Sequence, residues 1–354
     1  MSNRIMPNPL ILTATTNIQD ILTSSLKIEP QQKVLVIFDK NYELTNILTQ
    51  GYRTALSNLK HEAQFLDFDE LITEGKEAII ARFNALSPRD IVVLIQSSNF
   101  RLDDFRIRLH LFSRQLKVIE HMHLYRNKPE VFDVYINSLK YDTEEQNWYQ
   151  TKATQLTSQL PSASELNIQF QDASLTVNQL EVPKINIGDY TGMDNIGGTF
   201  PIGEVFTEAN DFETMNGSIY IYAFANREFN ISYYEPFRLD ITNGIVTGYG
   251  DNTPAEFIDV LELIKTYERP LIREIGFGLN RAMSKERPLG DITAFERILG
   301  MHMSLGEKHS VYKKPGITVH KTKFHVDLFL SLDHVSISVD GKHIQLMDAH
   351  GYID

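Results

Sequence analysis

Lys33-Val34-Leu35-Val36-Ile37-Phe38 (KVLVIF) is an unbroken apolar run, too short for a core helix and rich in β-branched residues. Runs of this kind are strands buried on both faces, and such strands belong to parallel sheets covered by helices on either side. The surrounding sequence repeats the theme. An amphipathic stretch from about Tyr42 to Leu59 follows, then a short strand pattern at Gln64 to Phe68 and a second buried-strand run at Ile91 to Gln96 (IVVLIQ). Helical periodicity returns in Phe105 to Leu116 and from about Thr143 to Leu160. The alternation predicts an α/β domain over residues 1–161, with a mostly parallel sheet flanked by helices. No Gly-x-Gly-x-x-Gly turn follows the first strand and no Gly-x-x-x-x-Gly-Lys-Ser/Thr occurs, so neither a dinucleotide nor a nucleoside triphosphate is implied.

The polar stretch Pro161 to Glu165 (PSASE) is the expected linker, and beyond it the pattern changes. Short alternating segments at Ser174 to Val177, Ser218 to Ala223, Phe237 to Ile241 and Val335 to Val339 are separated by turn signals such as Asn243-Gly244, Gly250-Asp251 and Asp340-Gly341. One helix is predicted, with Thr253 as cap, Pro254 at its first position and apolar residues Phe257, Val260, Leu261 and Ile264 on one face. Residues 162–354 therefore read as an α+β, β-rich domain.

The chain has 354 residues, no cysteine and a formal net charge of −12. Absent thiols exclude disulfides, thiolate nucleophiles, zinc ribbons and cysteine-ligated clusters, so any metal must be held by His and carboxylates. The acidity argues against nucleic acid as a partner. The apolar stretch Pro9 to Thr13 is too short for a secretory h-region and no segment reaches membrane-spanning length, so a cytoplasmic location without a membrane partner is expected.

Seven of the eleven histidines lie at or after His302, which marks the second half as the chemical one. In His325-Val326-Asp327 the imidazole and the carboxylate stand at i and i+2, on one face of an extended strand, as half of a metal site would. The plainer alternative is a hydrogen-bonded histidine with Asp327 as its partner. Glu204, in Phe200 to Thr207 (FPIGEVFT), stands at a turn-to-strand junction, where a carboxylate is well anchored. Glu274, in Arg273 to Asn280 (REIGFGLN), has Gly276 and Gly278 beside it for close backbone approach, or is simply salt-bridged to Arg273 or another cation. His302 sits between Met301 and Met303 in Glu296 to Gly306 (ERILGMHMSLG), where a packed core histidine is the ordinary alternative. His121 and His123 form a His-x-His without a nearby acidic motif.

In this order, Pro-x-Gly-Glu-Val-Phe-Thr, Glu-x-Gly-x-Gly-x-Asn, Glu-(x)5-His-x-x-x-Gly and His-x-Asp, the sequence resembles the aminopeptidase T and aminopeptidase S family of metallopeptidases. The resemblance implies an α/β N-terminal region, a C-terminal region holding two divalent metals, and ligands at Glu204, Glu274, His302, His325 and Asp327. It also implies a homodimer. Two departures stand out. The family's tyrosine seven residues after the third-motif histidine is His309 here, with Tyr312 three residues on, and the usual Ala-Pro after Glu-Val-Phe-Thr is Glu208-Ala209. His309 is a candidate oxyanion donor or proton shuttle, with Tyr312 as a second catalytic candidate.

Three carboxylates and two imidazoles exceed what one four-coordinate zinc with an open position takes, and they suit two ions sharing a carboxylate. Zn²⁺, Co²⁺ and Mn²⁺ all match such donors. The expected activity is release of an N-terminal amino acid from a small peptide or aminoacyl substrate. Two rivals remain: a mononuclear Fe(II) dioxygenase acting on a small aromatic through His302, His325 and Asp327, like the dihydroxypyridine dioxygenases, and a non-catalytic binding protein stabilised by metal.

Overall fold

The computed structural model describes residues 8–228, 230–309, 311–318 and 321–353; His320 falls outside them. Packing divides the chain into two units. One comprises Met1–Trp148, Asn186–Ile202 and Lys285–Ala294, the other Tyr149–Ile185, Gly203–Ser284 and Phe295–Asp354.

The first unit is built on β1 (Val34–Phe38), β2 (Ala63–Asp67), β3 (Ile91–Ile95) and β4 (Lys117–His121). Every residue of β1 and β3 is buried, as their continuous apolar runs require. A later strand, β8 (Gly197–Phe200), adds to the edge of β4, giving the all-parallel order β2-β1-β3-β4-β8. At this edge the missing Cβ of Gly197 matters, since one added there would lie 1.9 Å from the Val118 carbonyl oxygen. Helices α1 (Pro9–Asp20) and α2 (Glu43–Asn58) belong to this unit, as do α3 (Phe68–Thr73), α4 (Lys76–Asn84) and α5 (Ile107–Ser113). Leu35, Ile37, Val92 and Leu94 from the strands pack with Phe68, Leu71, Ile79, Phe83 and Leu111 from α3, α4 and α5 into one buried cluster. His121 is part of the interior rather than half of a metal pair. Its two ring nitrogens lie 2.9 Å from the Tyr52 hydroxyl and 3.0 Å from the Tyr135 hydroxyl, and burial pushes its pKa down to about 3.

The second unit is a large antiparallel sheet. Its strands are β5 (Glu165–Phe170), β6 (Ala173–Val177), β7 (Lys184–Asn186), β9 (Glu204–Glu208), β10 (Asn216–Ala225), β11 (Ile231–Thr242) and β12 (Ile245–Tyr249). There follow β13 (Ile272–Gly278), β14 (Gly300–Leu305), β15 (Val326–Leu330), β16 (His334–Val339), β17 (Lys342–Asp348) and β18 (Gly351–Tyr352). The order is β18-β17-β16-β5-β6-β10-β15-β14-β13-β9-β7, with β11 and β12 branching from β10. Two hairpins use the turn residues read from sequence: Asn243-Gly244 with φ of 53° and 72°, and Asp340-Gly341 with φ of 50° and 76°. Paired positive φ values are the type I′ geometry that matches strand twist.

The helix expected near Thr253 runs over Ala255–Tyr267 and buries Phe257, Val260, Leu261 and Ile264 as its periodicity requires. Its cap differs from the expectation. Pro254 is the N-cap residue, at φ −61° and ψ 140°, and it is the Pro254 carbonyl that accepts from Phe257 and Ile258. With ψ extended, proline closes the helix from outside its first turn, and no side-chain cap bond forms.

Candidate metal centre

Four adjacent strands of the second unit, β9, β13, β14 and β15, carry every carboxylate and imidazole singled out as a ligand candidate except His325, which directly precedes β15. Cross-strand registry explains their convergence. Gly278 lies opposite Glu204 and Glu274 opposite Glu208 across β9 and β13. Gly276 lies opposite His302 across β13 and β14, and Ser304 opposite Asp327 across β14 and β15. Residues two apart share a face, so Glu204, Glu208, Glu274, Gly276, His302, Asp327 and His325 all point the same way. Gly276 makes the room: a Cβ added to it would lie 2.1 Å from His302 Cε1 and 2.2 Å from Nε2. The imidazole lies over the bare backbone of the neighbouring strand.

Two donor groups result, each with its ligand atoms within 4.8 Å of one another: Glu204, Glu274, Glu296 and His302, and then Glu274, His325 and Asp327. Glu274 belongs to both. His302 Nε2 lies 3.3 Å from Glu204 Oε1 and 3.3 Å from Glu274 Oε1, and His325 Nε2 lies 3.1 Å from Asp327 Oδ1. Two ligands held about 2.0–2.2 Å from one ion at tetrahedral to octahedral angles stand roughly 3.0–3.5 Å apart, so these separations suit shared coordination. The second group has a further sign. Asp327 Oδ1 is buried and has no hydrogen-bond partner among the described residues, although His325 Nε2 is near, so the two atoms approach without hydrogen-bond alignment. A cation between them would satisfy both. His325 Nδ1 lies 3.0 Å from the Lys308 carbonyl; donation there would leave the Nε2 lone pair free for a ligand role.

The electrostatics are those of a crowded acidic site. Glu204, Glu274, His302 and Asp327 are 4 %, 6 %, 1 % and 5 % exposed. Burial disfavours a charged imidazole at His302, yet the Glu204 and Glu274 carboxylates outweigh it and raise the pKa to about 10. Burial is likewise overcome at His325, where Asp327 brings the value to about 9. Burial works to raise the Glu274 pKa, but hydrogen bonds from His302 and His309 hold it well below the usual carboxylate range. The site therefore calls for positive charge.

Several contributors were not marked by the sequence. Glu296 joins the first donor group, and Arg297 places Nη2 3.1 Å from Glu204 Oε2 while also pairing with Glu296. Arg273 is not the partner of Glu274. Its guanidinium, 0 % exposed, takes Glu208 in a two-point pair, Nε to Oε1 at 2.5 Å and Nη2 to Oε2 at 3.0 Å. Arg273 and Glu208 carry ordinary strand patterns; the strand pairing that sets Glu274 opposite Glu208, and the register shift of β13 against β14 between Ile272 and Ile275 at which Arg273 lies, are not marked in the sequence.

His309 is buried, with Nδ1 3.0 Å from Glu208 Oε2 and Nε2 3.1 Å from Glu274 Oε2. Tyr312 is turned to the backbone, its hydroxyl donating to the Val182 carbonyl at 2.8 Å. Desolvation brings the Tyr312 pKa up to about 12.

No protein-family model matches the chain, and no curated protein matches it. Among solved structures, wild-type AmpT from Thermus thermophilus is similar in fold, with a TM-score of 0.60 at 12 % identity over 96 % of this chain and 99 % of that one. Among the described residues no helix is long and apolar enough to cross a membrane.

Proposed function

We propose that the chain is a dinuclear metallohydrolase of aminopeptidase type, releasing the N-terminal residue of a small peptide. The observation that carries this reading is the sharing of Glu274 by two donor groups on one sheet face. Glu204, Glu274 and His302, with Glu296 beside them, would hold one ion; Glu274, His325 and Asp327 would hold the other. Zn²⁺, Co²⁺ or Mn²⁺ bound there would lower the pKa of a water and polarise the scissile carbonyl. The chain's own groups do the rest. Arg297 fixes one oxygen of Glu204 and leaves the other toward His302. Lys308 fixes the orientation of His325 through its carbonyl. Phe329, its ring centroid 6.0 Å from that of His302, forms part of the apolar wall. The His325 side chain, 28 % exposed against 1 % for His302 and 7 % for Asp327, supports entry of substrate from its side.

The fold likeness to AmpT and the ordered motifs of the sequence both support this reading. Against a mononuclear iron triad stands the separation of its three members. Among the described residues His302 falls in one donor group and His325 with Asp327 in the other. The same reading carries a cytoplasmic homodimer, which sedimentation velocity on the purified protein tests for its oligomeric part.

The deciding experiment is metal content by elemental analysis of protein purified without chelator or nickel, together with hydrolysis of a panel of aminoacyl p-nitroanilides. About two ions per chain in the native protein, about one in Glu204→Ala, and loss of hydrolysis in the variant are expected from the ligand count. A single iron unaffected by Glu204→Ala would overturn the proposal.

A further inference from the structure

Glu208 and Glu274 are directly opposed across β9 and β13, both buried. Like charges in that position repel, and something must hold them in place. On its outer side Glu208 is paired with the fully buried Arg273, whose remaining donors go to the Glu307 carbonyl at 2.6 Å and the Tyr312 carbonyl at 3.2 Å. Between the two carboxylates stands His309, one ring nitrogen 3.0 Å from Glu208 and the other 3.1 Å from Glu274. The result is a continuous row, Arg273, Glu208, His309, Glu274, anchored at one end to main chain and ending at the one side chain common to both donor groups. His309 is absent from both groups. It touches a ligand instead of acting as one.

We propose that Arg273, Glu208 and His309 are positioning residues that hold Glu274 Oε2, so that this carboxylate keeps one oxygen toward His302 and remains available to the His325–Asp327 side. The proposal rests on the two-ion reading of the site. A free carboxylate turns about its last bond and serves one group at the expense of the other. One whose outer oxygen is hydrogen-bonded to a ring, itself locked by a buried ion pair, is fixed in orientation. Outer partners of this kind are commonly worth about 10–100-fold in metal affinity.

The test uses full-length protein stripped of metal and titrated with Co²⁺, followed by calorimetry and by the visible absorption of the bound ion. His309→Phe keeps a ring and removes both hydrogen bonds; His309→Gln returns one donor toward Glu274. We expect His309→Phe to weaken Co²⁺ binding about 10–100-fold at one or both sites with a changed absorption envelope, and His309→Gln to recover part of the loss. If His309→Phe does not fold, His309→Gln still reads the effect through an intermediate affinity and an altered spectrum. Native affinities and spectrum in a folded variant, with only the melting temperature lowered, would overturn the positioning role and leave the two-ion reading intact. Failure of the unaltered protein to bind Co²⁺ would remove both.

Discussion

Replacing Gly276 by alanine is the sharpest perturbation the site offers, because it changes no charge and no hydrogen bond. The new methyl would lie 2.1 Å from His302 Cε1, 2.2 Å from Nε2 and 2.7 Å from Nδ1. Ordinary carbon contacts begin near about 3.5 Å, so the ring must retreat by roughly 1–1.5 Å. Metal–nitrogen bonds tolerate only about 0.2 Å of error, so the imidazole can no longer meet an ion held by Glu204 and Glu274. The expected result is a loss of at least about 100-fold in Co²⁺ affinity at that group, some 2.7 kcal/mol. Overpacking adds a stability cost of about 1–3 kcal/mol. The group containing His325 and Asp327 should bind as before. Co²⁺ titration followed by calorimetry reads both sites, and Gly192→Ala is a suitable control, since a Cβ there meets nothing closer than 4.0 Å. Two native-affinity ions in a folded Gly276→Ala protein would refute the placement of His302 as a ligand.

Three further outcomes are expected. Asp327→Asn should reduce metal content from about two ions to about one by elemental analysis, since it removes the one carboxylate that the second group does not share with the first; unchanged stoichiometry would exclude Asp327 as a ligand. Glu208→Ala leaves the fully buried Arg273 unpaired, and breaking such a pair costs about 3–5 kcal/mol, roughly 6–20 °C in melting temperature. A calorimetric shift under about 2 °C would show that the pair contributes little. Acid sensitivity should come from His121, whose pKa falls from 6.5 to about 3 on burial. The unfolded chain takes up a proton below pH 6.5 that the folded chain refuses, so stability falls as pH drops, by about 3 kcal/mol between pH 7 and pH 4. Urea titrations of His121→Phe at the two pH values should show that share of the slope removed; an unaltered slope would place the sensitivity elsewhere.

Local chemistry made part of this molecule readable. Continuous apolar runs at Val34–Phe38 and Ile91–Ile95 announce buried parallel strands, and Asn243-Gly244 and Asp340-Gly341 announce their hairpins, because both signals are contained within a few residues. The pairing of His325 with Asp327 was legible for the same reason, since i and i+2 geometry needs no distant partner. Registry was not. Nothing in the sequence around Gly276 says that His302 will lie over it, or that Glu208 and His309, 101 residues apart, will meet. Those two positions are the ones that depart from the resembling family, and the fold makes them neighbours. The short strand Gly197–Phe200 was missed because its reason for being a strand is the open edge of β4 and not its own composition.

That late-arriving strand has a bearing on synthesis. A ribosome that has released only the first four parallel strands has made a sheet whose β4 edge is unpaired, with Val118, Ile119, Glu120 and His121 still awaiting partners from residues 197–200. Open edges of this kind recruit other chains. Nascent protein is thus exposed to mispairing until the polypeptide has wandered through β5, β6 and β7 and come back. Truncations ending before residue 197 should be recovered as aggregates, and expression would gain from slower translation or a chaperone that covers the edge.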